Sequence, residues 1–262
     1  MRKDALPLML STLVLGIFGA FLRWLQLMNI FDEATGLARR GAPISIVYIV
    51  YSVVAVAMML CIVKIWLRRY DRSLDAGNAL HCFTAVPSIA LWVFAAAFAA
   101  AALFTMFAAN DTRNPMIQRV FGAAGIIAGC CMPFLLSKRE SRTENPMARS
   151  AVIYLVLFYC LWLIYSYKVH SEDPVLWSYA PEILAVCASV GAFYYIAAYF
   201  YGRAKSDAAL FTVQLAAFLN ICTIFDERAF WLNVMFGVTA ALMLMLEFIL
   251  IANMRESSEG GL

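Results

Sequence analysis

Charged residues are scarce in this chain of 262 residues: they make up 14% of it, against 64% hydrophobic residues. A soluble globular domain carries about 25% charged residues, so the composition argues against an ordinary water-soluble protein. Histidine is scarcer still, and the two histidines fall in loops predicted to lie on opposite sides of a membrane. This separation argues against a bis-histidine haem and against a histidine-based metal site.

Catalytic and nucleotide-binding motifs are also missing. The sequence has no Gly-x-Ser-x-Gly elbow, phosphate-binding loop or dinucleotide fingerprint, and no cysteine pair has zinc-ligand spacing. We therefore expect no cofactor and no metal, and we predict that the chain is not an enzyme. The net charge of +3 is typical of a membrane protein with basic inner loops and indicates no nucleic-acid partner.

Long apolar runs dominate what is present, and there are eight of them. Each is close to the ~20 residues with which a helix crosses a hydrocarbon core and about twice as long as a strand of a membrane barrel. The sequence therefore predicts an all-α integral membrane protein, in which a bundle of eight transmembrane helices forms a single domain (residues 1–262) in the lipid bilayer. The runs are Leu6–Gln26, Ile44–Trp66, Thr84–Ala108, Ile117–Leu136, Ser150–Tyr167, Trp177–Tyr201, Ala208–Phe225 and Phe230–Ala252.

Basic residues are divided unevenly between the two sets of loops. With the N-terminus inside, the inner segments hold 13 of the 20 Lys and Arg residues, and basic residues are retained on the cytoplasmic side during insertion. We therefore predict a multi-pass cell-membrane protein with both termini cytoplasmic, of the kind found in bacterial inner membranes.

Repeated residues suggest an internal duplication. Trp24 and Leu25 recur as Trp162 and Leu163, and the Asp-x-Arg motif that begins at Asp226 has an earlier copy. Two four-helix copies, at residues 1–144 and 145–254, would share one orientation, as in transporters built from parallel repeats. The alternative is that these identities arose by chance, because apolar segments are built from few residue types.

Four charged residues lie within the apolar runs, where a charge is costly. Arg23 and Glu182 have similar depths near the outer face, and Lys64 and Glu247 have similar depths near the inner face. In the structural interpretation these charges form the ion pairs Arg23–Glu182 and Lys64–Glu247, since pairing lowers the cost of burial, or they are end charges that snorkel to the interface. In the functional alternative, Glu182 or Glu247 lines a path for a solute or for protons.

The seventh run is the least apolar and carries Thr212, Gln214, Asn220 and Thr223. At about 100° per residue, Thr212, Asn220 and Thr223 share one face, and Gln214 lies roughly opposite. Such a face either lines a polar cavity or bonds to a neighbouring helix. Gln214, Asn220 and Thr223 are therefore candidate binding residues.

Three further features concern packing and the aqueous boundary. A series of glycines in the fourth run predicts close helix packing, within the chain or between copies. Tyrosines in the fifth and sixth runs form either a ligand-contacting wall or part of the core. Asp226, Glu227 and Arg228 form a tight link between the last two runs, and their charge predicts a turn at the water interface.

Three functions are compatible with these features. We favour a small-solute transporter or channel-like permease, because the bundle carries a polar face on its seventh helix. The second hypothesis is a non-catalytic membrane subunit or scaffold that acts through a partner protein or forms a homo-oligomer. The third is an intramembrane enzyme that modifies lipids, which would need an acid such as Glu182 near the outer face.

Overall fold

The computed structural model describes residues 5–30, 43–67, 79–80, 85–108, 115–136, 146–171 and 176–254. Within these ranges the protein is all-helical and contains no strand. The helices are α1 Ala5–Ile30, α2 Pro43–Leu67, α3 Val86–Phe107, α4 Pro115–Cys131, α5 Pro146–His170, α6 Leu176–Phe200, α7 Ser206–Cys222 and α8 Phe230–Asn253. A short 3-10 helix, Met132–Leu136, continues α4. Each of the eight apolar runs therefore contains a helix.

Large apolar side chains cover the outside of the bundle. Val53 is 64% exposed, Leu157 59% and Ile164 58%. Continuous apolar surface of this extent is typical of contact with lipid rather than water. Within the described ranges, seven helices are long and apolar enough to cross a membrane. The prediction of a helical membrane protein is confirmed to that extent.

Helix α7 is the exception in length and lies at the centre of the bundle. It has 17 residues, which extend about 25 Å, less than the ~30 Å of a hydrocarbon core. It packs against α1, α2, α6 and α8, and most of its side chains are buried. Its polar residues Gln214 and Asn220 therefore face protein rather than lipid.

The two ends of the bundle differ in what they bring together. Ala5 and Leu8 of α1 pack with Ile251 and Met254 at the end of α8, so that α1 begins where α8 ends. We call this the terminus end of the bundle. The segment that joins α7 to α8, residues 223–229, lies at the opposite end, where Asp226 contacts Arg23.

The glycines of α4 produce the close packing expected from the sequence, and they do so within the chain. A Cβ atom added at Gly122 would lie 2.6 Å from the Met106 Cβ, and one added at Gly129 would lie 2.8 Å from the Ala99 Cβ. Real Cβ atoms do not approach each other so closely, so only glycine allows α4 to lie this near to α3.

The helix packing gives no support to the proposed duplication. Helix α7 packs against α1, α2, α6 and α8, whereas α3, its counterpart in the first half, packs mainly against α4 and α8. A two-fold axis relating the halves would instead surround α3 with α2, α4, α5 and α6. The repeats at 1–144 and 145–254 therefore stay a prediction from the sequence.

Candidate functional site

The Glu247 carboxyl is held inside the bundle by three helices. Its side chain, in the last third of α8, is 0% exposed. Thr12 Oγ1 of α1 donates a hydrogen bond to Glu247 Oε1 over 2.9 Å, and Gln214 Nε2 of α7 donates to the same oxygen over 2.8 Å. Among the residues that the structure describes, none of the ion pairs includes Glu247. The acid is therefore buried without a compensating cation in the described part of the chain.

Two oxygen atoms at this site lack partners. Glu247 Oε2 and Gln214 Oε1 are both buried and have no hydrogen-bond partner within the described ranges. A proton on Glu247 Oε2 makes that atom a donor, and the Gln214 amide that already contacts this carboxyl offers its Oε1 as acceptor. The neutral acid avoids a bare charge in a setting where one is costly, and it turns one of these two unpartnered acceptors into a donor.

The predicted pair between Lys64 and Glu247 is wrong. The Lys64 side chain is exposed on α2, and Glu247 is bonded to Thr12 and Gln214 instead. Helix α2 packs against α1 and α7 and is not among the main neighbours of α8. Matching depth in the sequence does not bring two helices together when a third lies between them.

The Arg23 guanidinium organises the opposite end of the bundle. It is 1% exposed, and its Nε donates to Asp226 Oδ1 over 2.8 Å. Its Nη1 donates to Gln26 Oε1 over 3.0 Å and its Nη2 to the backbone oxygen of Ser178 over 2.8 Å. One side chain therefore ties α1 to α6 and to the segment between α7 and α8.

A second buried guanidinium, that of Arg228, lies next to the first. Its Nη1 is 3.4 Å from Glu182 Oε2 and its Nη2 is 3.4 Å from Asp226 Oδ2. The Nη2 atom also donates to the backbone oxygen of Thr223, and the group stands 4.1 Å from the centre of the Phe236 ring. Arg228 therefore contacts both carboxylates of this end.

Glu182 is held from α5 as well. Ser166 Oγ donates to Glu182 Oε1 over 2.6 Å, and His170 Nε2 lies 3.5 Å from Glu182 Oε2. Each carboxylate oxygen of Glu182 thus has a partner, and the contacts join the end of α5 to the start of α6.

The opposite-end cluster, defined as Arg23, Glu182, Asp226 and Arg228, balances two guanidinium groups against two carboxylates. Burial raises the pKa of the Asp226 carboxyl, and the positive charges of Arg23 and Arg228 act against that rise. Burial also lowers the pKa of the Arg228 guanidinium, and the charges of Glu182 and Asp226 oppose that change. Each charge is stabilised by the others, so the loss of one leaves a buried partner with less compensation.

Two expectations about this end need correction. Arg23 bonds directly to Asp226 rather than forming the predicted pair with Glu182, whose guanidinium contact is Arg228. The charges of the short link are not all solvated: the Asp226 and Arg228 side chains are 5% and 6% exposed, whereas Glu227 is exposed. The position of this link at the water interface stays a prediction. A link of so few residues between two apolar runs is the sequence signal that could have placed these charges against the bundle end.

The polar face of α7 bonds to protein. Asn220 Nδ2 donates to Ser189 Oγ of α6 over 2.9 Å and to the Ala216 backbone oxygen over 2.7 Å. Thr212 and Thr223 donate to backbone oxygens of their own helix. Hydrogen bonding between helices, one of the two alternatives left open by the sequence, therefore describes Asn220 in this structure. The sequence reasoning did not identify Ser189, Ser166 or Thr12 as partners, because isolated hydroxyl residues are common in membrane helices.

The tyrosines of α5 and α6 divide between core and surface. The Tyr159 hydroxyl meets Thr239 Oγ1 at 2.7 Å inside the core. Tyr194 and Tyr201, in contrast, line a groove of about 830 Å³ between α5 and α6. Neither Glu182 nor Asn220 is among the residues that line this groove.

Comparison with known proteins finds no matching family model, no matching curated protein and no matching solved structure.

Proposed function

We propose that this protein is a multi-pass membrane transporter of small solutes in which Glu247 binds and releases a proton. The observation that carries this proposal is the fully buried Glu247 carboxyl, which is bonded to Thr12 and Gln214 and has no basic partner in the described part of the chain. Ionisable side chains inside a membrane are costly and commonly mark ion or proton pathways. We assign no catalytic step and no cofactor to the chain.

Proton exchange requires contact with water, and Glu247 has none in this arrangement. Helices α1, α7 and α8 meet at its carboxyl, so at least one of them must move to admit water. The bond between Arg23 and Asp226 joins α1 to the α7–α8 segment at the opposite end. We therefore assign this ion pair the role of a gate, closed in the present structure, whose opening separates the helices around Glu247.

We further propose eight membrane spans, with α7 as the short central one, and both termini in the cytoplasm. The packing of Ala5 and Leu8 against Met254 supports an even number of crossings, and the excess of basic residues in the inner segments supports the direction. Reporter domains that are active only in the cytoplasm should be active at both ends of the chain. Activity at one end alone would contradict this topology.

Transport can be tested in liposomes that contain the purified protein and a pH-sensitive dye. A panel of amino acids, sugars, carboxylates and organic cations is added outside, one at a time. At least one solute should change the internal pH with the wild-type protein. Glu247→Gln should abolish that change because an amide cannot release a proton, while Glu227→Gln, at an exposed acid, should behave as the wild type.

The outcomes separate the two parts of the proposal. Solute uptake that persists in Glu247→Gln with an unchanged pH signal would reject the proton-binding role and keep the transporter. Folded wild-type protein that moves no solute of the panel would reject the transporter itself.

A second candidate function is a membrane scaffold, and the bond between Asn220 and Ser189 is the observation that favours it. A polar face engaged between helices needs no solute, and Asn220, like Glu182, lies outside the lining of the groove. A scaffold should co-purify with a stoichiometric partner, or with further copies of itself, in mild detergent. A monodisperse single chain that transports would exclude it.

A further inference from the structure

The groove between α5 and α6 is a surface feature that the proposed transport cycle does not use. Its volume is about 830 Å³, within the range of sites that hold small organic ligands. Ile153, Val156 and Leu157 of α5 form one side, and Tyr194 of α6 and Tyr201, directly after α6, form the other. Leu157 and Tyr194 are 59% and 60% exposed. The groove therefore offers an elongated apolar ligand a surface on the outside of the bundle.

Among the described residues that line the groove, the positive charges lie at one end. Arg203 and Lys205 belong to its lining, and both are exposed at the terminus end, where α6 turns into α7. The turn depends on Gly202, whose φ is +67°, and on a bond of 3.0 Å from the Arg203 N–H to the Ala198 backbone oxygen. The backbone conformation of this turn therefore sets the positions of Arg203 and Lys205.

A third cation stands beside the first two. The Arg149 guanidinium, in the first turn of α5, lies 5.6 Å from the centre of the Tyr201 ring. Its Nε is buried and has no hydrogen-bond partner within the described ranges. Asp207 is the acid in the first turn of α7, and among the described residues named here three cations stand against this one acid. A ligand with a negative group here would meet the donors of Arg203 and Lys205, with the Arg149 guanidinium beside them.

From this juxtaposition we propose that the groove binds an anionic phospholipid, with an acyl chain along Leu157 and Tyr194 and the phosphate at Arg203, Lys205 and Arg149. The apolar part selects an amphiphile, and the cationic end selects its charge. Each basic residue near an anionic lipid surface contributes about 1 kcal/mol, or about five-fold in affinity. This site does not depend on the transport proposal, because it shares no residue with the Glu247 site or the opposite-end cluster.

The test is a titration of the purified full chain in detergent, followed by native mass spectrometry. Phosphatidylglycerol and phosphatidylcholine with identical acyl chains are the two lipid probes, and inorganic phosphate is the third. The wild type should prefer phosphatidylglycerol. The double change Arg203→Gln and Lys205→Gln should weaken phosphatidylglycerol binding about 25-fold and leave phosphatidylcholine binding unchanged.

Two matched controls test the location. Lys64→Gln removes an exposed cation near the end of α2 and should leave the preference intact. Leu157→Trp narrows the groove and should weaken phosphatidylglycerol binding, whereas Leu184→Trp, at another exposed position (57%) of α6, should not.

Several results would overturn the assignment. Equal binding of the two lipids would remove the anionic selectivity, and an unchanged preference in the Arg203/Lys205 double variant would place it elsewhere. Displacement of phosphatidylglycerol by equimolar inorganic phosphate would indicate a plain anion site without an acyl-chain groove. If Lys64→Gln weakened phosphatidylglycerol binding as much as the Arg203/Lys205 double variant does, the surface charge of the protein in general, and not this groove, would attract the lipid.

Discussion

Gln214 Nε2 donates a hydrogen bond of 2.8 Å to Glu247 Oε1, while Gln214 Oε1 and Glu247 Oε2 remain buried without a partner in the described part of the chain. An amide and a carboxylic acid can form two hydrogen bonds to each other, but an amide and a carboxylate form only one in this orientation. The arrangement is therefore better matched to a protonated Glu247 than to an ionised one.

Glu247→Gln should retain the folded stability of the protein. The new amide carries a donor in place of the acid O–H, and its oxygen can still accept from Thr12 and Gln214. Glu247→Leu should instead lower the free energy of unfolding by about 1–3 kcal/mol, because the buried Gln214 amide then loses its partner. Thermal unfolding in detergent micelles measures both changes.

Infrared spectroscopy provides an independent check on the same carboxyl. The wild type should show a protonated-carboxyl C=O band at neutral pH that is absent from Glu247→Gln and unchanged in Glu227→Gln. A band of equal intensity in wild type and Glu247→Gln would mean that Glu247 is ionised, and would contradict the assignment of a proton to Oε2.

Arg23→Met should be among the most damaging substitutions at the opposite end. It leaves the Asp226 carboxylate buried, with Arg228 as its remaining guanidinium contact at 3.4 Å. Removal of one partner of a buried pair costs about 3–5 kcal/mol. Adding Asp226→Asn to Arg23→Met should recover a large part of the lost stability in a thermal unfolding measurement.

The identity of the partner is tested by a second double variant. Arg23→Met combined with Glu182→Gln should recover less, because Arg23 bonds to Asp226 and not to Glu182. Greater recovery with Glu182→Gln would restore the pairing predicted from the sequence alone.

The fold could be predicted closely because lipid restricts the backbone to few solutions. The predicted run Phe230–Ala252 differs from α8, Phe230–Asn253, by one residue. The boundary that matters most for the site is the end of α7: the predicted run continues to Phe225, whereas the helix ends at Cys222. The apolar run continues beyond the end of this helix, and the non-helical chain that follows brings Asp226 into contact with Arg23.

The partners of the charged residues were harder to predict than the residues themselves. Depth in the membrane can be read from the sequence, and it correctly placed Arg23 and Glu182 at one end. Depth does not show which helices are neighbours, because that is determined by how the helices pack around α7. Lys64 and Glu247 illustrate the limit: they match in depth but belong to helices that α1 and α7 separate.

Gly122→Ala should destabilise the protein although it adds a single methyl group. The added carbon would lie 2.6 Å from the Met106 Cβ and 2.8 Å from the Ala102 backbone oxygen. Neither atom can rotate away, so α3 and α4 must separate, at a cost of about 1–3 kcal/mol. Gly237→Ala is the matched control, since a Cβ there meets nothing within 4 Å, and its unfolding temperature should equal or exceed that of the wild type. Equal destabilisation by both changes would mean that the α3–α4 contact at Gly122 is not responsible.

Gly202→Ala should destabilise the turn between α6 and α7 for a different reason. Nothing lies within 4 Å of an added Cβ at this position, but its φ of +67° is a conformation that residues with a Cβ avoid. The expected loss is about 1 kcal/mol in the free energy of unfolding. Gly202→Asn should lose less, because asparagine adopts the left-handed conformation more readily than alanine does. Because Arg203 follows directly, the alanine variant should also weaken phosphatidylglycerol binding more than the asparagine variant. Equal unfolding temperatures for the two variants would show that the backbone at this turn is not fixed by the left-handed residue.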